Sequence, residues 1–299
     1  MDDWMTVAAR GGLYTALMLV FGMSLFRARL VSVDHRLDGR FRVIVATAII
    51  AGQFLSVVAF VAMVANMTGT TAFAANMPIV RTLLSQMAVG YAAIARIAAL
   101  MLSLVLVFML RRWAWPVTIL GALALASVAW SGHGVMDSGW RGALHLPADI
   151  VHLFAAGAWI GALLSLLVLA IRSRGRQGGE AALLGSASVA FASTGTVIVG
   201  AIVVTGIVNY LCIAGPTVQG IARSTWGLVL LAKLSVFALM LALAAANRYR
   251  FAPRLAAARD AFTTHAAIAH LRRSLWIEMS LGLTALLLVG WLGTLAPDA

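Results

Sequence analysis

Long runs of apolar residues, separated by short connections rich in arginine or glycine, set the pattern of this chain. They fall at about 10–30, 43–65, 88–110, 114–131, 148–171, 187–212, 225–247 and 274–296, and a helix of about 20 residues crosses a hydrocarbon core. The pattern predicts an all-α fold, a polytopic transmembrane helical bundle of eight spans in which the fourth is the shortest. No connection is long enough to hold a separate soluble domain, so residues 1–299 read as a single integral membrane domain.

Composition agrees: 62% hydrophobic residues, 11% charged residues and a mean hydropathy of +0.97 lie far outside the range of soluble domains. A net charge of +12 would ordinarily raise a nucleic-acid reading. Here the arginines sit in alternate short loops. Arg27, Arg29, Arg36, Arg40 and Arg42 follow the first run, Arg111 and Arg112 the third, and Arg172, Arg174 and Arg176 the fifth. Arg248, Arg250, Arg254, Arg259, Arg272 and Arg273 follow the seventh, whereas the opposite connections carry little beyond Arg81, Arg141 and Arg223. The positive-inside rule then predicts both termini outside the cytoplasm, and topology accounts for the charge without nucleic acid. The start, MDDWMTVAARGG, is acidic and lacks the features of a signal peptide, so the first run is expected to be retained. With Cys212 as the single cysteine, no intramolecular disulfide can form.

Pro78, Pro116, Pro147, Pro216, Pro253 and Pro297 are expected in loops or in the first turn of a span, leaving span interiors unbroken. Broken helices are one way for transporters to expose backbone to an ion. Without them, side chains become the candidate ligands. The connection between the fourth and fifth runs carries His133, His145, Asp149 and His152. With Pro147 in the first helical turn, Asp149 and His152 share a face, and His145 joins them if the helix begins a turn earlier. His152 then lies roughly 7 Å past the helix start, at about 1.5 Å per residue. His133 closes the fourth run and faces this group across a short gap. Imidazoles with one carboxylate suit a transition metal; the competing reading is polar residues meeting lipid headgroups. Met63, Met67 and Met77 gather around the outer end of the second run, and Met136 lies in the histidine loop. Their thioethers favour Cu(I), although methionine also serves as apolar filler.

Two cations fall within runs: Arg96 in the third and Lys233, the chain's only lysine, in the seventh. Charges at such depth face the bundle interior, a cavity or a partner, and Asp149 is the carboxylate nearest in depth to both; snorkelling to the surface is the alternative. Glu278 opens the eighth run and is expected to complement a helix N-terminus or to pair with Arg248, Arg272 or Arg273. No Gly-rich ATP-binding loop, Ser-His-Asp order or His-Glu-x-x-His motif occurs, so neither ATP-driven pumping nor an enzymatic role is expected. A second reading of His133 and His152 is axial ligation of haem b between neighbouring spans.

The run HLFAAGAWIGALL, His152 to Leu164, preceded by Gly132 and His133, resembles the copper resistance protein D (CopD) family. So do LLAKLSVFALMLALAAANRYRFAPRL and the later LRRSLWIEMSLGLTALLLVGWLGTLAP. The resemblance is strongest over residues 131–299 and matches His133, His152, Trp159, Lys233, Asn247, Arg248, Arg250, Pro253 and Glu278 to family positions. It implies a bacterial cytoplasmic (inner) membrane protein of copper homeostasis, with periplasmic termini, that works with a periplasmic CopC-type copper-binding protein. The expected function is binding of copper at the periplasmic face and its passage across the membrane; a copper sensor or assembly factor is the non-transporting alternative.

Overall fold

With no water to satisfy its backbone in a bilayer, an apolar run closes its hydrogen bonds within a helix. The computed structural model describes residues 3–30, 35–131, 139–173, 179–216, 221–258 and 260–296, and no strand occurs among them. Ten α-helices follow in order: α1 (Asp3–Arg29), α2 (His35–Thr68), α3 (Phe73–Gln86), α4 (Ala88–Met109), α5 (Ala114–Ala126), α6 (Gly139–Arg172), α7 (Gly179–Ala214), α8 (Thr225–Ala246), α9 (Ala252–Ala257) and α10 (Ala261–Leu292). Seven are long and apolar enough to cross a membrane. The fourth expected run forms only the 13-residue α5, extended by a 3₁₀ turn over Ser127–Ser131, and is shorter than the others. The connection after α2 holds the 14-residue α3, which the apolar pattern does not reveal because its polar residues interrupt the run.

Several helices overrun their apolar cores. At 34 residues and about 1.5 Å per residue, α6 exceeds the roughly 30 Å hydrocarbon thickness. It begins at Gly139, so Pro147 lies inside the helix and not in its first turn. The missing amide leaves the Ala143 carbonyl without its usual helical donor, a loss that helices at a membrane boundary tolerate through neighbours and water. Pro78 likewise falls inside α3, while Pro253 sits at the start of α9.

Trp4 and Trp291 meet with ring centroids 5.4 Å apart, so α1 begins where α10 ends. One end of the bundle carries the start of α1 and the close of α10, and will be called the terminal end; the other carries most of the arginines. Two helices form the core: α1 packs on α2, α5, α6 and α10, and α6 packs on α1, α7 and α10. By contrast, α7 and α8 turn most of their surface outward. Glycine makes the central crossing possible. A Cβ on Gly22 of α1 would stand 2.0 Å from the Gly157 carbonyl oxygen, and one on Gly161 would stand 2.3 Å from the Gly22 Cα. The Gly157-x-x-x-Gly161 spacing therefore serves packing within the chain. At the arginine-rich end, Asp38 accepts from Arg27 Nε and Arg42 Nε at 2.7 Å each and from Trp113 Nε1 at 3.2 Å. Arg42 also donates to the Leu110 and Arg111 carbonyls at 3.1 and 3.2 Å, tying α1 and α2 to the α4–α5 corner.

Candidate functional site

Beginning at Gly139, α6 carries His145, Asp149 and His152 on one continuous helix, where spacings of four and three residues place them along one side. His145 is buried, at 2% exposure, while Asp149 and His152 are partly buried. The neighbouring α7 supplies partners: His152 Nδ1 lies 3.0 Å from Thr205 Oγ1, and Asn209 Nδ2 donates to Asp149 Oδ1 at 3.4 Å. Thr205 and Asn209, one turn apart in α7, escaped the sequence reading, although two polar side chains four residues apart in an apolar run were a usable signal. Lys233 of α8 lies within electrostatic reach of both Asp149 and His152.

His152 has two oxygen neighbours on α7, the Thr205 hydroxyl and the Ile202 backbone, and the hydroxyl's own hydrogen bond bears on the histidine tautomer. Thr205 donates to the Ala201 carbonyl at 2.5 Å, and of the two neutral tautomers of His152 the one with its proton on Nδ1 complements an oxygen so engaged. A neutral imidazole with its proton on Nδ1 carries a lone pair on Nε2, the arrangement of a metal-ligating histidine oriented by an outer partner. A Cβ on Gly206 would lie 3.6 Å from His152 Cε1, so this glycine gives the ring its room. Among the described residues, no three His, Cys, Asp or Glu side chains come together as a metal-binding group. The predicted ligands His133 and Met136 lie outside the described residues.

The other methionines stand elsewhere. Met63 and Met67 line a cavity of about 310 Å³ with Arg10, Tyr14, Asn66, Arg96 and Ser127, and neither His145, Asp149 nor His152 borders it. Met77, on α3, is partly exposed. Arg96, expected to pair with Asp149, instead points its Nη1 at Ser127 Oγ, 3.5 Å away. Tyr14 lies within electrostatic reach of Arg10, Arg96 and Asp149 and hydrogen-bonds Arg10.

A second polar cluster lies toward the arginine-rich end. Glu278, expected at a helix N-terminus, sits well inside α10 at 1% exposure. Its two oxygens are shared between neutral donors: Trp159 Nε1 to Oε1 at 2.9 Å and Asn247 Nδ2 to Oε2 at 2.7 Å. Arg248, offered as its partner, donates to the Ala192 carbonyl at 2.9 Å and to Thr196 Oγ1. Asn247 opens a π-helical turn over Asn247–Phe251, a feature often found at functional sites, and its Oδ1 is buried without a hydrogen-bond partner. These residues line a cavity of about 250 Å³ between α6, α7, α8 and α10, walled mainly by apolar side chains such as Leu163, Phe191 and Leu241.

Two family descriptions match separate stretches of the chain. The family description "Copper resistance protein D-like, N-terminal domain" matches residues 1–143, and "Copper resistance protein D" matches residues 185–292. Copper resistance protein D of Pseudomonas syringae pv. tomato is 36% identical over 305 aligned positions, covering 100% of this chain and 98% of that protein. Inner membrane protein YebZ of Escherichia coli (strain K12) is 27% identical, covering 95% of each. No solved structure matches the chain. These similarities give the haem-b alternative no support.

Proposed function

The chain belongs to the copper resistance protein D family, and from that premise we propose that it binds copper at the periplasmic face of the bacterial inner membrane and passes it across. Copper is cargo in this reading. The observation that carries it is His152: a partly buried imidazole at the terminal end, hydrogen-bonded through Nδ1 to Thr205, a pairing whose Nδ1–H form leaves the Nε2 lone pair to a metal. Arginine bias supports a periplasmic terminal end. His133, His145 and Asp149 are the residues whose chain positions let them complete the ligand set, and Lys233 balances the Asp149 carboxylate when no metal is present. A soluble CopC-type protein delivers the ion to this face. The route onward follows α6 toward Trp159 and Glu278, where the carboxylate and the unpartnered Asn247 Oδ1 offer hard oxygen donors along a mostly apolar passage.

The test is copper content of purified protein in nanodiscs. His152→Ala loses the bound copper, and Thr205→Val, which removes the orienting hydroxyl but keeps the shape, weakens copper affinity by about 10–100-fold. Undiminished copper in His152→Ala would remove the histidine from the site. Flux into proteoliposomes addresses passage separately: intact binding with no flux leaves a sensor or assembly factor.

A further inference from the structure

The cavity around Met63 and Met67 has a character that copper binding does not explain. Free cations are repelled by its charge, since both Arg10 and Arg96 line it and no carboxylate does among the described residues. Arg96 is 5% exposed, and its Nε is buried with no hydrogen-bond partner. Its one described hydrogen bond, to Ser127 Oγ at 3.5 Å, is long. The described ion pairs of the chain, Arg27–Asp38 and Arg42–Asp38, lie at the opposite end. Arg10 donates Nη1 to the Gly293 carbonyl at 2.9 Å and also hydrogen-bonds the Tyr14 side chain, so its guanidinium is fixed at the wall by neutral partners.

A buried guanidinium without a counter-charge is costly, and in membrane proteins such a group marks a ligand or partner. The planar fork of arginine matches a carboxylate through two parallel hydrogen bonds. Two guanidiniums in one cavity match two carboxylates. The volume of about 310 Å³ is far more than the roughly 30 Å³ share of a single water, and so accommodates a small organic molecule better than a monatomic ion. Tyr14, Asn66 and Thr6 add neutral donors at the wall, while Met63 and Met67 provide apolar surface for a short carbon chain.

We infer that the cavity lined by Arg10 and Arg96 is a binding site for a small dicarboxylate anion, entered from the terminal end and separate from the His152 group. None of His145, Asp149 and His152 lines it, so its occupancy can be tested without copper. Tyr14, within electrostatic reach of both arginines and of Asp149, is the residue through which a bound anion would be felt at the His152 group.

The experiment titrates malonate into the full chain in nanodiscs and follows thermal unfolding, with sodium chloride at matched ionic strength as the comparison. The expected result is a saturable rise in Tm with malonate and none with chloride. Arg96→Gln and Arg10→Gln each weaken the apparent malonate affinity by about tenfold or more, as loss of a charged hydrogen-bonding partner implies. Arg10 is only partly buried, so its variant reports even if Arg96→Gln fails to fold. No saturable response in the wild type, an equal response to chloride, or an unchanged affinity in the folded variants would overturn the assignment.

Discussion

At the scale of single residues, the most consequential side chain outside the His152 group is Glu278, because both of its oxygens are committed to donors from two other helices. Replacement by alanine leaves the Trp159 indole N–H and the Asn247 amide buried without acceptors, at a cost of about 1–3 kcal/mol for each. Glu278→Ala is therefore expected to lower the unfolding temperature of the purified protein clearly, and Glu278→Gln, which keeps one acceptor oxygen, to lower it less. Equal stability of both variants with wild type would mean these hydrogen bonds carry no net weight. Glu278 stands out in the sequence as an acid in an apolar run, but its setting does not. The start of the apolar run reads as the start of the helix, whereas α10 begins at Ala261, capped by Asp260 accepting from the Thr263 amide at 2.8 Å. That amide and the Thr263 hydroxyl hold the Asp260 carboxyl below its ordinary range. Polar residues with arginine and histidine on the solvent side extend the helix well beyond the hydrophobic stretch that betrays it. His145, Asp149 and His152 were legible as a group because helical spacing alone places them together. Their partners Thr205 and Asn209 share a helix face by spacing, but serines and threonines are spread around α7, so that spacing does not by itself say which face meets α6.

At the scale of elements, the α1–α6 crossing is decided by three glycines. Gly161→Leu or Gly22→Ala drives a side chain into backbone that cannot retreat, and overpacking of this kind costs about 1–3 kcal/mol or more. Both variants are expected to give less monodisperse protein with a lower unfolding temperature. Gly200→Ala, whose added methyl meets nothing within 4 Å, is expected to hold or gain stability through better helix propensity. A similar argument applies to the corner at Asp38. Asp38→Asn removes the shared charge between Arg27 and Arg42 and is expected to loosen the α4–α5 corner, read as faster proteolysis near Arg111 in detergent. Element boundaries were the weakest part of the sequence reading for one physical reason. Hydropathy reports where a helix meets lipid, and Pro147 shows that it does not report where the helix starts.

At the scale of the whole molecule, an all-helical membrane bundle was legible from composition and run length. Orientation rests on the arginines. A reporter that matures only outside the cytoplasm is expected to be active when fused after residue 296 and inactive when placed between α6 and α7, and the reversed pattern would overturn the topology. The two family matches, over residues 1–143 and 185–292, leave most of α6 in neither. In space that division disappears: α6 touches α1 from the first match and α7 and α10 from the second, so it is the shared wall on which both halves rest. The glycine contact between α1 and α6 then has a meaning for biogenesis. As the chain emerges from the ribosome, α1 enters the bilayer with its notch at Gly22 unfilled, and α2 to α5 must thread past before the matching surface at Gly157 and Gly161 is synthesised. Because α1 precedes α6 in the chain, the Gly22 notch meets its matching surface only after α2 to α5 have been made, so this crossing closes late in synthesis.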